Sequence, residues 1–145
     1  RPEEIVQFLR SQRADGGGFL EIRAAKRAGA NPTAAAIGAL EILDALDDHT
    51  RTETVSFLLE LADDEGGFRA NTRIPLPDLL STFTAAWTLD RLGAAGEVDW
   101  ERLERYVRSL EVTHGFLGAT LDREPDVEYT FYGVAALALR ALLAG

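Results

Sequence analysis

The chain has 145 residues, 46% of them hydrophobic, enough for one sizeable core. Its 24 acidic and 15 basic residues give a net charge of −9, which removes nucleic acid and anionic lipid surfaces from the expected partners. The absence of cysteine excludes disulfides and thiolate zinc sites, and no apolar run reaches the roughly 18 residues of a membrane span, so a cytoplasmic setting is expected.

The start, "RPEEIVQFLR", lacks a signal-peptide core, and Arg1 leads straight into a helical pattern, which hints at a piece of a longer chain. "EIVQFLRSQRADGGGF" then reads as a helix ending in a glycine turn at Phe19, followed by "NPTAAAIGALEILDAL" with Thr33 near its start. His49 falls in what reads as a loop, "LDDHTRTE". The second copy runs "TETVSFLLELADDEGGF" to Phe68 and resumes as "LLSTFTAAWTLDRL", with Thr82 near its start. The third runs "ERLERYVRSLEVTHGF" to Phe116 and resumes as "VEYTFYGVAALALRAL", with Thr130 in the same place.

From Phe19 to Phe68 and from Phe68 to Phe116 the intervals are 49 and 48 residues, and each Thr follows its Phe by 14. Two features in constant register define three units, over 3–46, 51–92 and 99–143, within one domain over 1–145. The first segment of each is amphipathic: Trp100, Leu103, Tyr106, Val107 and Leu110 follow helical spacing beside Glu101, Arg102, Glu104 and Arg105. The second segment is apolar nearly all round, as in Ala34 to Leu43 and Val134 to Leu143, and is expected to be buried between neighbours as an inner layer. The glycines supply positive φ at the turns, and Pro32, Pro77 and Pro125 mark the starts of the second helices. No segment alternates as a strand does. The expected fold is all-α, three helical hairpins with six main helices.

The stretches "FLRSQRADGGGF", "EGGFRANTRIPLPDLLSTFTAAW" and "HGFLGATLDREPDVEYTFYGVAAL" resemble the repeats of protein prenyltransferase β subunits and of squalene and terpene cyclases. The fixed distance from the Gly-Phe turn to an Asp-x-x-(Ser/Tyr)-Thr-Phe helix start carries the resemblance. It implies an α/α toroid, with inner helices lining a hydrophobic cavity that holds isoprenoid chains, and a transferase acting on prenyl diphosphates. A closed toroid of this type uses about six hairpins, so three make about half a ring; the remainder is expected from a homodimer or from further repeats of a longer chain. A non-catalytic helical-repeat module that binds a protein partner is the alternative.

The resemblance also names positions. The family holds zinc with an Asp, a Cys two residues later and a His at a following inner-helix start. Asp78 matches the first, but Leu80 and Tyr129 stand at the other two, so neither zinc nor another cofactor is expected, magnesium only with a diphosphate. Near the family's diphosphate loop lie only Arg69 and Arg73, and "DALDD" lacks the cyclase acid spacing. Asp78 and Asp126, in one register, either cap their helices or hold a divalent ion for a diphosphate. Phe83, Trp87, Tyr129 and Tyr132 either pack in the core or line a ligand pocket, and Ser81 completes the expected substrate-binding set.

Overall fold

The computed structural model describes residues 1–144. Among them are six α-helices: α1 (Pro2–Ser11), α2 (Ala30–Ile42), α3 (Asp48–Glu60), α4 (Leu79–Arg91), α5 (Trp100–Ser109) and α6 (Val127–Ala144). The fold is all-α, as the spacing implies.

Side-chain oxygens start most of these helices. Asp47, Asp78 and Asp99 accept from the amides of Thr50, Ser81 and Arg102, and Asp126 accepts from that of Tyr129. α2 instead follows Gly29, which offers no side chain. Asp47 is held below the usual carboxylate range, chiefly by the Thr50 amide. His49, expected in a loop, lies in the first turn of α3, because the Asp47 cap begins the helix earlier than the charge run suggests.

α2, α4 and α6 pack in succession as the inner layer, and α1, α3 and α5 flank them. Asn31 meets Thr84, a Cβ at Gly38 would lie 3.9 Å from the Trp87 ring, and Glu41 pairs with Arg91. Residue numbers rise together along both helices, so α2 and α4 run parallel.

The glycine turns link each unit to the next. A Cβ on Gly18 would lie 2.5 Å from the Phe57 ring and one on Gly67 2.6 Å from the Tyr106 ring. Only glycine admits the following outer helix this closely. The third turn differs: it forms a two-residue antiparallel hairpin, β1 (Glu111–Val112) and β2 (Gly115–Phe116), with Glu111 opposite Phe116. That strand pair was not expected. A shorter turn there brings the chain back directly across the end of α5.

Phe19, Phe68 and Phe116 are buried at the hairpin ends, and Thr33, Thr82 and Thr130 occupy equivalent places at the starts of α2, α4 and α6. Full burial of the inner layer does not occur. Ile42, Val134 and Leu142 are exposed, and α1 has no buried residue.

Thr82 Oγ1 accepts from the buried amide of Phe68 at 2.9 Å. Thr82→Val keeps the shape and orphans that donor, so it is expected to destabilise by about 1–3 kcal/mol in chemical denaturation, with Thr82→Ser retaining most of the stability. Phe68→Ala should cost about 3–5 kcal/mol. Losses below about 0.5 and 1 kcal/mol respectively would remove the turn from the core account.

Candidate functional site

The starts of α4 and α6 bring most of the sequence-derived residues together. Asp78 accepts through Oδ1 from the Ser81 amide and through Oδ2 from the Ser81 hydroxyl, both at 2.8 Å. Ser81 is 0% exposed, so it braces Asp78 and offers no surface to a ligand. Asp126 accepts from the Tyr129 amide at 2.8 Å. Both aspartates therefore act as helix caps.

A Cβ on Gly118 would lie 2.8 Å from the Tyr129 ring and from Asp122 Oδ2, while the Gly118 carbonyl accepts from the Leu79 amide at 2.9 Å. The loop after Phe116 thus threads between Asp78 and Tyr129. Burial raises the Tyr129 phenol above its ordinary pKa, and the Asp78, Asp122, Asp126 and Glu128 carboxylates add to the shift. The Tyr106 hydroxyl, buried and without a partner among the described residues, is also raised, mainly by burial and next by Asp78. Nothing in the sequence marked Tyr106 beyond its place on an amphipathic face.

These groups do not suit a zinc ion. Both Asp78 oxygens are engaged, Leu80 has no donor, and a phenol that resists ionisation is a poor ligand. Arg69 is occupied as well, its guanidinium donating to the Glu60 and Leu61 carbonyls at the end of α3.

Deeper along the helices the site becomes aromatic. Phe83 lies 6.1 Å from Tyr132 and 6.2 Å edge-on to Phe131; Tyr132 lies 6.2 Å from Tyr129. On its other side Phe83 joins Trp87 in an open groove of about 560 Å³ between α2 and α4, completed by Ala34, Gly38 and Ile42. Trp87 therefore lines the groove with Phe83. Two polar groups sit at the groove's helix-start end, where Thr84 Oγ1 is 2.8 Å from Asn31 Oδ1. Asn31 in the first turn of α2 and Thr84 in the second turn of α4, polar residues on apolar helices, are the sequence signal for this pair.

The family model described as prenyltransferase alpha-alpha toroid domain matches residues 1–144. Among solved structures, the Candida albicans protein geranylgeranyltransferase-I complexed with GGPP is similar to this chain with a TM-score of 0.84 and 20% identity. The match covers 96% of this chain and 43% of that one, so the chain spans less than half the length of that protein. No curated protein matches the sequence.

The raised phenol of Tyr106 fixes a pH dependence. Its folded pKa lies above the ordinary value of 10.0, so folded and unfolded states are equally protonated below that pH, and stability falls as pH rises beyond it. Tyr106→Phe is expected to flatten this alkaline loss and, since the hydroxyl has no partner, to leave stability at pH 7 within about 1 kcal/mol of the parent. Denaturation curves at pH 7 and pH 11 check both; an unchanged alkaline slope would assign the loss to other groups.

Proposed function

This chain belongs to the prenyltransferase α/α toroid family, and from that premise we propose that it binds an isoprenoid or similarly shaped apolar ligand between α2 and α4. The carrying observation is the groove itself: Phe83, Trp87, Ala34, Gly38 and Ile42 form its walls, and its volume suits a flexible hydrocarbon chain. Gly38 matters because a larger side chain there would fill the space in front of the Trp87 indole.

The ligand's polar head lies at the helix-start end, within reach of the Asn31 amide. The Asn31 side-chain amide, 2.8 Å from the Thr84 hydroxyl, supplies the polar contact at that end. The Asp78 and Asp126 carboxylates repel a diphosphate on the α6 side, which favours the α2 side, where Gly29 brings no charge. The binding of GGPP by the geranylgeranyltransferase-I supports this ligand class.

Prenyl transfer would follow only if another group activated the acceptor, because Asp78, Leu80 and Tyr129 do not make a zinc site. The same observation favours, as a second reading, a non-catalytic repeat module.

Titration with GGPP, read by Trp87 fluorescence in a Trp100→Phe background, is the test. A saturable blue shift is expected in the micromolar range, weakened at least about tenfold in Gly38→Leu while circular dichroism stays unchanged. Absence of any response at about 100 μM, or equal binding by Gly38→Leu, would remove the groove as the site.

A further inference from the structure

The groove between α2 and α4 ends at a charged bar, and we propose that this bar, the Glu41–Arg91 ion pair, limits the length of apolar chain that the groove accepts. The inference rests on the groove being the ligand site. Its lining runs along α2 from Asn31 to Ile42, roughly 16 Å at about 1.5 Å of rise per residue. An isoprene unit adds four chain bonds, roughly 5 Å when extended, so about three units reach from the Asn31 end to the bar.

On the α2 wall Ala34, Ala35 and Gly38 are small, and they leave the space opposite Phe83, Thr84 and Trp87 open. Glu41 stands three residues beyond Gly38 and Arg91 four beyond Trp87, so each continues its own wall by one turn. There the walls are joined. Arg91 Nε donates to Glu41 Oε2 at 3.2 Å, and Nη2 donates to Oε1. Two bonds from one planar fork to one carboxylate hold both side chains in a single geometry across the gap. The Arg91 and Glu41 side chains remain 48% and 34% exposed, so water still solvates the pair. A hydrocarbon laid over it would remove that water and return no hydrogen bond. A longer chain therefore turns its last unit out into solvent, and the added length brings no added burial.

The pair goes with the open groove, since parallel stacking of inner helices does not need it. In the α4–α6 joint the equivalent positions are Asp90 and Leu139, which cannot form an ion pair, and α4 and α6 pack together all the same. In that joint the space is filled by rings, with Phe83 stacked on Tyr132 and edge-on to Phe131. An exposed pair of this kind adds little to stability. Its effect is on the groove, whose run of small residues it closes.

The test is the Trp87 fluorescence titration in the Trp100→Phe chain, extended to geranyl, farnesyl and geranylgeranyl diphosphates, which carry two, three and four isoprene units. Affinity is expected to rise at least about tenfold from geranyl to farnesyl and to change less than about threefold from farnesyl to geranylgeranyl. In the double variant Glu41→Leu, Arg91→Leu the second step should grow to at least about tenfold while the first is kept, with unchanged circular dichroism. The exchange Glu41→Arg, Arg91→Glu restores a pair and should restore the plateau. A continued rise in the parent chain, a plateau that survives the leucines or one lost in the exchange would each overturn the bar. In those cases all three ligands still bind, so the groove stands as the site. Binding of none of them removes the groove itself, and the bar with it.

Discussion

One hydrogen bond, made three times, sets the rest of the structure. The amides of Phe19, Phe68 and Phe116 donate to the hydroxyls of Thr33, Thr82 and Thr130 at 2.9 to 3.0 Å. Each amide sits where an outer helix has ended and the chain turns back, so without the threonine it would be a buried donor with no partner. The bond anchors the phenylalanine ring beneath the start of the inner helix and fixes the connecting loop at one length. A fixed loop then puts the carbonyl two residues after Phe68 or Phe116 against the preceding inner helix. Parallel stacking of the inner helices follows from that second contact.

This explains what could be read in the sequence. Gly, Phe and Thr at constant spacing are local necessities of the turn, and they appear in the chain as a repeat of about 49 residues. The apolar inner segments and amphipathic outer ones were equally legible, because each side of a helix reports its surroundings through its spacing. The layers, the caps at Asp78 and Asp126 and the burial of the turn phenylalanines come from such local rules.

Legibility ended where neighbouring units meet. The groove joins Asn31 and Gly38 from one unit to Phe83, Thr84 and Trp87 from the next, 50 or so residues away, and no local pattern marks such pairs. Tyr106 behaves similarly: helical spacing placed it on the buried face, yet the Asp78 carboxylate that helps raise its phenol belongs to a different hairpin. Position on the helix groups Trp87 with the tyrosines in the sequence. One turn beyond Phe83 and so on nearly the same face of α4, it lines the groove against α2.

The mouth of the array also separates two roles that a shared motif tends to merge. Asp78 and Asp126 occupy the register where the family places chemistry, but each is needed to start an inner helix, Asp78 with both its oxygens bound by Ser81. Such a cap persists for structural reasons whether or not catalysis does. Leu80, by contrast, has no capping duty, and a change from a metal donor to leucine there leaves the helix intact. The aspartates thus carry information about the fold. In this chain the capping role of Asp78 and Asp126 is visible in their hydrogen bonds, a distinction that a likeness of folds alone cannot make.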